Sequence, residues 1–337
     1  MKTLNKFLLT SLLILANLNV FGTVWHVSNV AGFLADFNTI QGAYNAALAG
    51  DTIYLYGSSV GYGDLYLTKK LTIIGPGYFL VQNPQTQSNY TAASLNVIYF
   101  RPNSGGSVIM GLNIGQVVIR TSNITVSRNL LNNGIMVNDS QNSSISNIII
   151  NQNYVAGGYV QTYSGNATYV NVTNNIIIGA LYLNTGSNYT VINNYITGVV
   201  YMKNGSFKNN IHSNYNISTG SSGSTFNNTL IQNNIYSGRT YSNGSAEVSI
   251  DTLLNKVNII SMANVFMLTG STDGKYQLKT GSPAIGFANG GGDSGPFGGP
   301  SAYILSGMAN IPAVYELNVP PSGGSNLNII IKAKSHL

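Results

Sequence analysis

Short apolar runs, mostly three to five residues long, recur along the chain and are separated by polar turns. In the middle of the chain these turns carry an asparagine at intervals of 24, 22, 19, 16 and 24 residues. The asparagines are Asn129, Asn153, Asn175, Asn194, Asn210 and Asn234. An apolar run precedes each asparagine, and several are followed by a glycine and a further apolar run. The pattern predicts repeats of strand, asparagine turn, strand, glycine turn and strand.

Strands this short form stable sheets only when successive repeats stack on one another. The pattern therefore predicts an all-β fold, a right-handed parallel β-helix over residues 23–299, with an apolar central column and a ladder of the aligned asparagines. In the expected register Ile176 and Ile211 point inward and His212 points outward. A β-sandwich or a propeller would need hairpin turns every 8–12 residues, which the asparagine spacing does not match.

The two ends of the predicted solenoid differ from its middle. Residues 24–50 are predicted to cap it, with Asp36 as the N-cap of a helix that reaches residue 49 and with Gly50 ending that helix. Coils are predicted over residues 51–271 and a closing segment over 272–299. Residues 300–337 alternate like strands around a Pro-Pro-Ser-Gly-Gly turn and are predicted to form a hairpin-like tail.

Two stretches resemble bacterial right-handed parallel β-helix proteins of the pectin-lyase-like superfamily. FNTIQGAYNAALAGDTIYLYG (37–57) resembles the alanine-rich cap helix and first coil of that family. DGKYQLKTGSPAIGFANGGGDSGPFGG (273–299) resembles the closing segment of exported repeat proteins of the Bacteroidetes type. The resemblance implies the fold. Because the family's polygalacturonase and pectate lyase motifs are missing from the sequence, it implies a non-catalytic member.

The N-terminus has the pattern of an export signal over residues 1–22. Lys2 and Lys6 precede an apolar segment, Phe7 to Ala16, and small residues follow near a cleavage position. No later run is long and apolar enough for a transmembrane helix. The chain is therefore expected to be secreted or held at the cell surface. It has no cysteine, which excludes disulfides and cysteine-based metal sites.

Charged residues make up only 7% of the chain, with 15 basic and 9 acidic residues. No basic run exceeds Lys69-Lys70, so no nucleic-acid partner is predicted. Polysaccharide lyases need clustered aspartates for Ca²⁺, and glycoside hydrolases need paired carboxylates. Residues 140–246 contain no acid. Glu247 and Asp251 would share a face if residues 246–256 were helical, and a solvated helix edge is the favoured interpretation. No metal or cofactor site is predicted.

Two residue types are open to a binding role. Arg101, Arg120 and Arg128 would converge into a basic patch for an anionic sugar if their coils stack. Tyrosines recur through the coils, and Tyr182 and Tyr201 in particular would lie on an outer aromatic platform for glycan rings. The tyrosines considered are Tyr159, Tyr163, Tyr169, Tyr182, Tyr189, Tyr195, Tyr201, Tyr215, Tyr236 and Tyr241. The alternative is that these aromatic residues simply suit strands, some of them pointing inward.

The sequence thus favours an exported, non-enzymatic β-helix that serves as a surface, matrix or adhesive element and has affinity for a polysaccharide or a cell-surface glycan. The alternative is a divergent polysaccharide lyase or glycoside hydrolase that acts on an acidic polysaccharide. Fold alone does not decide between them. The scarcity of carboxylates in the coils favours the first.

Overall fold

A computed structural model describes residues 22–138, 144–163, 166–213, 224–238, 240–243, 246–257, 259, 261–320 and 327–335, with the backbone alone over 240–249. The predicted signal, 1–22, lies outside this part except for Gly22. The predicted fold is confirmed: the chain is all-β, with a parallel β-solenoid of about eight turns. Of the described helices, none is long and apolar enough to cross a membrane.

Within the described ranges there is one α-helix, α1 (Ile40–Ala46), near the N-terminus. The strands are, in chain order, β1 (Val24–Val27), β2 (Thr52–Leu55), β3 (Leu65–Leu67), β4 (Thr72–Ile74), β5 (Ser94–Phe100), β6 (Val108–Met110), β7 (Asn113–Ile119), β8 (Ile124–Ser127), β9 (Leu130–Leu131), β10 (Gly134–Val137), β11 (Ile145–Asn151), β12 (Tyr154–Val155), β13 (Tyr159–Thr162), β14 (Ala167–Thr173), β15 (Ile176–Ile177), β16 (Ala180–Leu183), β17 (Tyr189–Ile192), β18 (Tyr195–Ile196), β19 (Val200–Lys208), β20 (Ile211–His212), β21 (Thr225–Gln232), β22 (Ile235–Tyr236), β23 (Thr240–Asn243), β24 (Ala246–Ser249), β25 (Pro312–Asn318) and β26 (Ile330–Ser335). Three 3-10 turns lie at Met262–Asn264, Gly274–Tyr276 and Leu305–Gly307.

The coil strands form three parallel sheets that enclose the core. Sheet 1 contains β1, β2, β4, β6, β8, β11, β14, β17 and the ends of β19 and β21. Sheet 2 contains the starts of β5 and β7, then β9, β12, β15, β18, β20 and β22. Sheet 3 contains β3, the ends of β5 and β7, β10, β13, β16 and the starts of β19 and β21. Inward side chains from all three sheets form one apolar column.

The predicted asparagine ladder is present at the corner between sheets 1 and 2. The six predicted asparagines are fully buried. The backbone N–H and the side-chain amide of each donate to Oδ1 of the next, with N···O distances of 2.8 to 3.2 Å. Asn234 continues the ladder to Asn255, which the sequence pattern did not include. The ladder pairs polar groups that would otherwise be unpaired inside the corner.

A second corner, at the start of the sheet 1 strands, repeats with a constant offset. Six residues before each ladder asparagine stands Asn123, Asn147, Tyr169, Asn188, Asn204 or Asn228. All six have φ between 47° and 62°, the left-handed region that asparagine tolerates best. Coil lengths differ, yet this seven-residue unit does not change. The insertions and deletions therefore lie in the rest of each coil.

The C-terminal residues 261–308, here called the strap, run along the outside of sheet 2 instead of adding coils. The residue before each ladder asparagine also has a left-handed φ, of 54° to 58°, and most of these residues bind the strap. Arg128 donates to the carbonyl of Met308, and Gln152 to that of Ala302. Asn174 donates to the carbonyl of Gly298, and Asn233 to that of Phe287.

The strap buries a second apolar cluster on the outer side of sheet 2. Val265, Phe266, Tyr276, Ala284 and Tyr303 of the strap pack there. Six further residues of this cluster directly follow the ladder asparagines: Leu130, Tyr154, Ile176, Tyr195, Ile211 and Ile235. The expected inward direction of Ile176 and Ile211 is therefore wrong. Because the ladder asparagine points inward, the next side chain along the strand points outward.

The N-terminal cap has a shorter helix than expected. Thr39 is the N-cap of α1 and accepts a hydrogen bond from the N–H of Gly42, whereas Asp36 accepts one from the N–H of His26. The helix ends at Ala46, before Gly50, which lies in the turn that leads to β2. The predicted C-terminal hairpin is present as antiparallel β25 and β26.

Candidate functional site

Sheet 3 carries an outward row of side chains that spans most of the solenoid. The strand register aligns Tyr66, Tyr99, Val118, Met136, Gln161, Tyr182 and Tyr201. With about 4.8 Å between neighbouring strands, this row extends over roughly 29 Å. Together with Arg101, Arg120 and Tyr159, which flank it, the row is here called the tyrosine–arginine face.

One end of the face is a stacked pair of rings crossed by two cations. The rings of Tyr66 and Tyr99 are parallel within 6° with their centroids 4.7 Å apart. The guanidinium of Arg101 lies 4.5 Å from the centroid of Tyr66, and that of Arg120 lies 5.6 Å from Tyr99. Arg101 and Arg120 follow neighbouring strands in the same register, so both positive charges lie on one short stretch of surface.

The other end of the face is a ladder of three tyrosines. The ring of Tyr182 lies 5.2 Å from that of Tyr159 and 5.2 Å from that of Tyr201, stacked within 25° of the latter. Burial and then the neighbouring hydroxyls of Tyr159 and Tyr201 raise the pKa of Tyr182. The phenol of Tyr182 therefore stays neutral near pH 7, where it can donate and accept hydrogen bonds.

Among the residues that the structure describes, one carboxyl group lies beside the face. The hydroxyl of Tyr66 donates to Asp64 over 3.4 Å, and both side chains are exposed. The centre of the row, Val118, Met136 and Gln161, carries no charge. The face is therefore aromatic towards both ends, uncharged at its centre and basic near one end, and among the described residues it carries one acidic group, Asp64.

Arg128 does not join the other two arginines, in contrast to the prediction. It lies at the corner between sheets 1 and 2, where its Nε donates to Gln152 over 2.8 Å and its Nη1 donates to the carbonyl of Met308 over 2.9 Å. Burial lowers its pKa. Arg128 has a structural role under the strap because residue 128 follows a sheet 1 strand, whereas residues 101 and 120 follow sheet 3 strands.

The remaining tyrosines are divided between the surface and the core. Tyr163 and Tyr169 are exposed, the latter at the asparagine corner. Tyr189 and Tyr236 point into the column, and Tyr195 packs under the strap. Tyr215 and the side chain of Tyr241 lie outside the described residues. Some tyrosines thus point outward and others inward, and a role of the outward ones in glycan binding stays a prediction.

His26 lies in β1 as expected, whereas His212 does not point outward. It is 1% exposed and lies inside the column between Phe207 and Tyr236. Its Nε2 lies 2.8 Å from the carbonyl oxygen of Gly198, to which it donates. Burial lowers the pKa of His212 to about 4, although the bond to Gly198 acts in the opposite direction. His212 is therefore a neutral core residue.

This buried histidine predicts acid sensitivity. The unfolded chain takes up a proton on His212 below pH of about 6.5, whereas the folded protein takes it up only near pH 4. The free energy of unfolding should therefore fall by roughly 3 kcal/mol as the pH drops through this window. Urea titrations at several pH values measure it. His212→Ile introduces the residue found at the equivalent position one coil earlier, Ile196. In this variant the free energy of unfolding should depend less on pH within this window. If its pH dependence is unchanged, a group other than His212 causes the acid sensitivity.

The predicted acidic pair is not on a helix. Residues 246–249 form strand β24, antiparallel to β23, so Glu247 and Asp251 do not lie on a common helical face. Asp251 is exposed and accepts a hydrogen bond from the N–H of Leu253; the side chain of Glu247 lies outside the described part. Asp139 also falls in a range that is not described. Among the described residues, no group of three His, Asp or Glu could hold a metal ion.

Tyr66 and Tyr99 were missed by the sequence prediction, although the sequence carries a signal for them. Four tyrosines of the row stand between two apolar residues, in Leu65-Tyr66-Leu67, Ile98-Tyr99-Phe100, Leu181-Tyr182-Leu183 and Val200-Tyr201-Met202. The flanking residues point inward, which directs the central ring outward. Comparison with known proteins gives no further guide, because no family model and no curated protein matches the chain.

Proposed function

We propose that this protein is an exported, non-enzymatic β-solenoid that binds an acidic glycan along its tyrosine–arginine face. The observation that carries the proposal is the alignment of Tyr66, Tyr99, Tyr182 and Tyr201 in one outward row, with Arg101 and Arg120 stacked over two of the rings. The predicted signal at 1–22 supports export, and the two family-like stretches support a non-catalytic relative of the pectin-lyase-like solenoids.

The chemistry of the face fits an extended acidic polymer. The stacked tyrosines offer their ring edges, and the flat surfaces that no neighbouring ring or guanidinium covers, as apolar area for the C–H faces of sugar rings and keep their hydroxyls in water. The strand spacing is close to the length of one sugar unit in an extended chain, so neighbouring rings at each end of the row can meet neighbouring sugars. Arg101 and Arg120 add paired donors and positive charge that suit a uronate carboxylate.

The contacts of the described carboxyl groups support binding without turnover. Asp36 and Asp51 hold the N-terminal cap through backbone N–H groups, including those of His26 and Leu48. Asp293 accepts a hydrogen bond from the N–H of Gly286, and Glu316 pairs with Lys332 in the tail hairpin. Asp64 is the one acid seen on the described face, and glycoside hydrolysis normally needs two.

Binding of oligogalacturonate, measured by isothermal titration calorimetry, tests the proposal. Tyr182→Ala removes the central ring of the three-tyrosine ladder and should weaken binding about tenfold, which corresponds to roughly 1.4 kcal/mol. Arg101→Ala should weaken binding by a similar factor and reduce its dependence on salt, since exposed charges are screened by ions.

Tyr169→Asn is the matched control. Tyr169 is an exposed tyrosine outside sheet 3, and asparagine occupies the equivalent corner in the neighbouring coils at residues 147 and 188. This variant should bind like the wild type. Equal binding by wild type and Tyr182→Ala, or no binding by the wild type, would contradict the proposal.

A further inference from the structure

A cavity of about 620 Å³ lies on the outer side of sheet 1, at the N-terminal end of the solenoid. Strands β1 and β2 form the floor of the cavity. Residues 87–89 form one side, and residues 311–314, at the start of β25, cover it. The N–H of Ser88 donates to the carbonyl of Val314 over 2.7 Å, which fixes the cover to the side. The volume is in the range of small-molecule sites. This space is here called the tail cavity.

Four rings line the tail cavity. The centroid of Tyr56 lies 4.6 Å from Phe33, 5.1 Å from Tyr54 and 5.7 Å from the imidazole of His26. The Tyr56 hydroxyl is 3.2 Å from Nδ1 of His26, which holds these two rings in place. Val24, Ile74 and Pro312 extend the apolar surface. A ligand with a flat apolar side would therefore find a fixed aromatic wall.

Neutral hydrogen-bonding groups stand beside this wall. Within the described part of the chain, the hydroxyls of Tyr54 and Thr52 and Nε2 of His26 have no hydrogen-bond partner, although all three residues line the cavity. Burial raises the pKa of Tyr54 to about 12, so its hydroxyl keeps its proton. A purely apolar ligand would leave these groups desolvated and unpaired, which is costly.

Charge also restricts the ligand. No Asp, Glu, Lys or Arg is among the described residues that line the cavity. An ionised ligand would lose its hydration there without gaining an opposite charge. The remaining chemistry, an uncharged molecule with an apolar ring face and hydroxyl groups at its edge, is that of a neutral pyranose.

We propose that the tail cavity is a binding site for a neutral sugar, separate from the tyrosine–arginine face. Phe33 and Tyr56 stack on the ring, and the unpaired groups of Tyr54, Thr52 and His26 bind its hydroxyls. The site lies on sheet 1 and excludes charge, whereas the face lies on sheet 3 and attracts anions. The two sites therefore differ in the sugars they accept, and neither depends on the other.

Saturation-transfer NMR of the full chain tests this site with a panel of neutral methyl glycosides: glucoside, galactoside, mannoside and xyloside. At least one should bind in the millimolar range. Phe33→Ala removes a half-exposed wall residue, and Ser88→Trp fills the cavity from an exposed position. Each should weaken binding at least tenfold. Neither residue is in the core, and circular dichroism will verify that both variants fold.

Leu34→Ala is the control. Leu34 is 96% exposed, neighbours Phe33 and does not line the cavity. Leu34→Ala and Tyr182→Ala should bind the glycoside as the wild type does, and the latter separates this site from the tyrosine–arginine face. If no glycoside of the panel binds, or if binding is unchanged in Phe33→Ala and Ser88→Trp, the proposed site is wrong, whatever the outcome with oligogalacturonate.

Discussion

Asn175→Ala should lower the free energy of unfolding by roughly 3–5 kcal/mol. Oδ1 of Asn175 accepts hydrogen bonds from the backbone and the side chain of Asn153, and its Nδ2 donates to the carbonyls of Ile150 and Thr173 and to Asn194. The substitution leaves several of these buried groups without partners in the middle of the ladder, where water cannot replace the amide. Urea denaturation followed by circular dichroism measures the change.

Asn171→Ala is the matched control for the ladder. Asn171 belongs to the same coil, is half-buried on the outer side of sheet 1, and its side chain makes no hydrogen bond to another described residue. Its removal should change the free energy of unfolding by about 0.5 kcal/mol at most. If Asn171→Ala and Asn175→Ala had equal effects, the ladder would not contribute to stability as the hydrogen bonds suggest.

Asp273→Ala should detach part of the strap and lower the free energy of unfolding by roughly 3 kcal/mol. Asp273 is fully buried. Its Oδ1 accepts from Asn83, Ser271 and the N–H of Gly274, and its Oδ2 accepts from the N–H of Ser306 over 2.7 Å and from Tyr303. One carboxyl group thus connects two segments of the strap, residues 271–274 and 303–306, to the loop between β4 and β5 that contains Asn83.

Limited proteolysis distinguishes this effect from a general loss of stability. In Asp273→Ala, cleavage should begin within residues 261–308 while the coils stay intact. Asp251→Ala is the control, because Asp251 is exposed and its carboxylate accepts a hydrogen bond from its near neighbour Leu253 and from no other described residue. First cleavage inside the coils of Asp273→Ala would show that the strap does not depend on this carboxyl group.

The ladder was predictable because a buried amide at a coil corner leaves a visible periodic mark among apolar residues. The direction of the residues that follow was not predictable. Most ladder asparagines precede two apolar residues, as in Ile176-Ile177, so either of the two can be taken as the inward one. The strap resolves the ambiguity, because it buries the first of the two residues on the outer side of sheet 2. The sequence of the strap has no repeat that would indicate this position. His212 was misplaced for the same reason, since its position depends on that of Ile211.

The candidate face was predictable only in part. Tyr182 and Tyr201 lie in successive coils that align on the asparagine register, and the structure places them together. Tyr66 and Tyr99 precede the first ladder asparagine, so the register gave no way to align them with the later tyrosines. Arg128 was grouped with Arg101 and Arg120 by proximity in sequence, but the corner between two sheets separates it from them.

The most direct test of the central claim is to incubate the wild-type protein with polygalacturonate, with and without Ca²⁺, and to measure bound polymer and reaction products in the same samples. Binding without new reducing ends and without unsaturated product is the expected result, since the described part of the face combines rings and arginines with a single carboxyl group, that of Asp64. Product formation that is abolished by Asp64→Asn would contradict a non-enzymatic role and assign catalysis to this face.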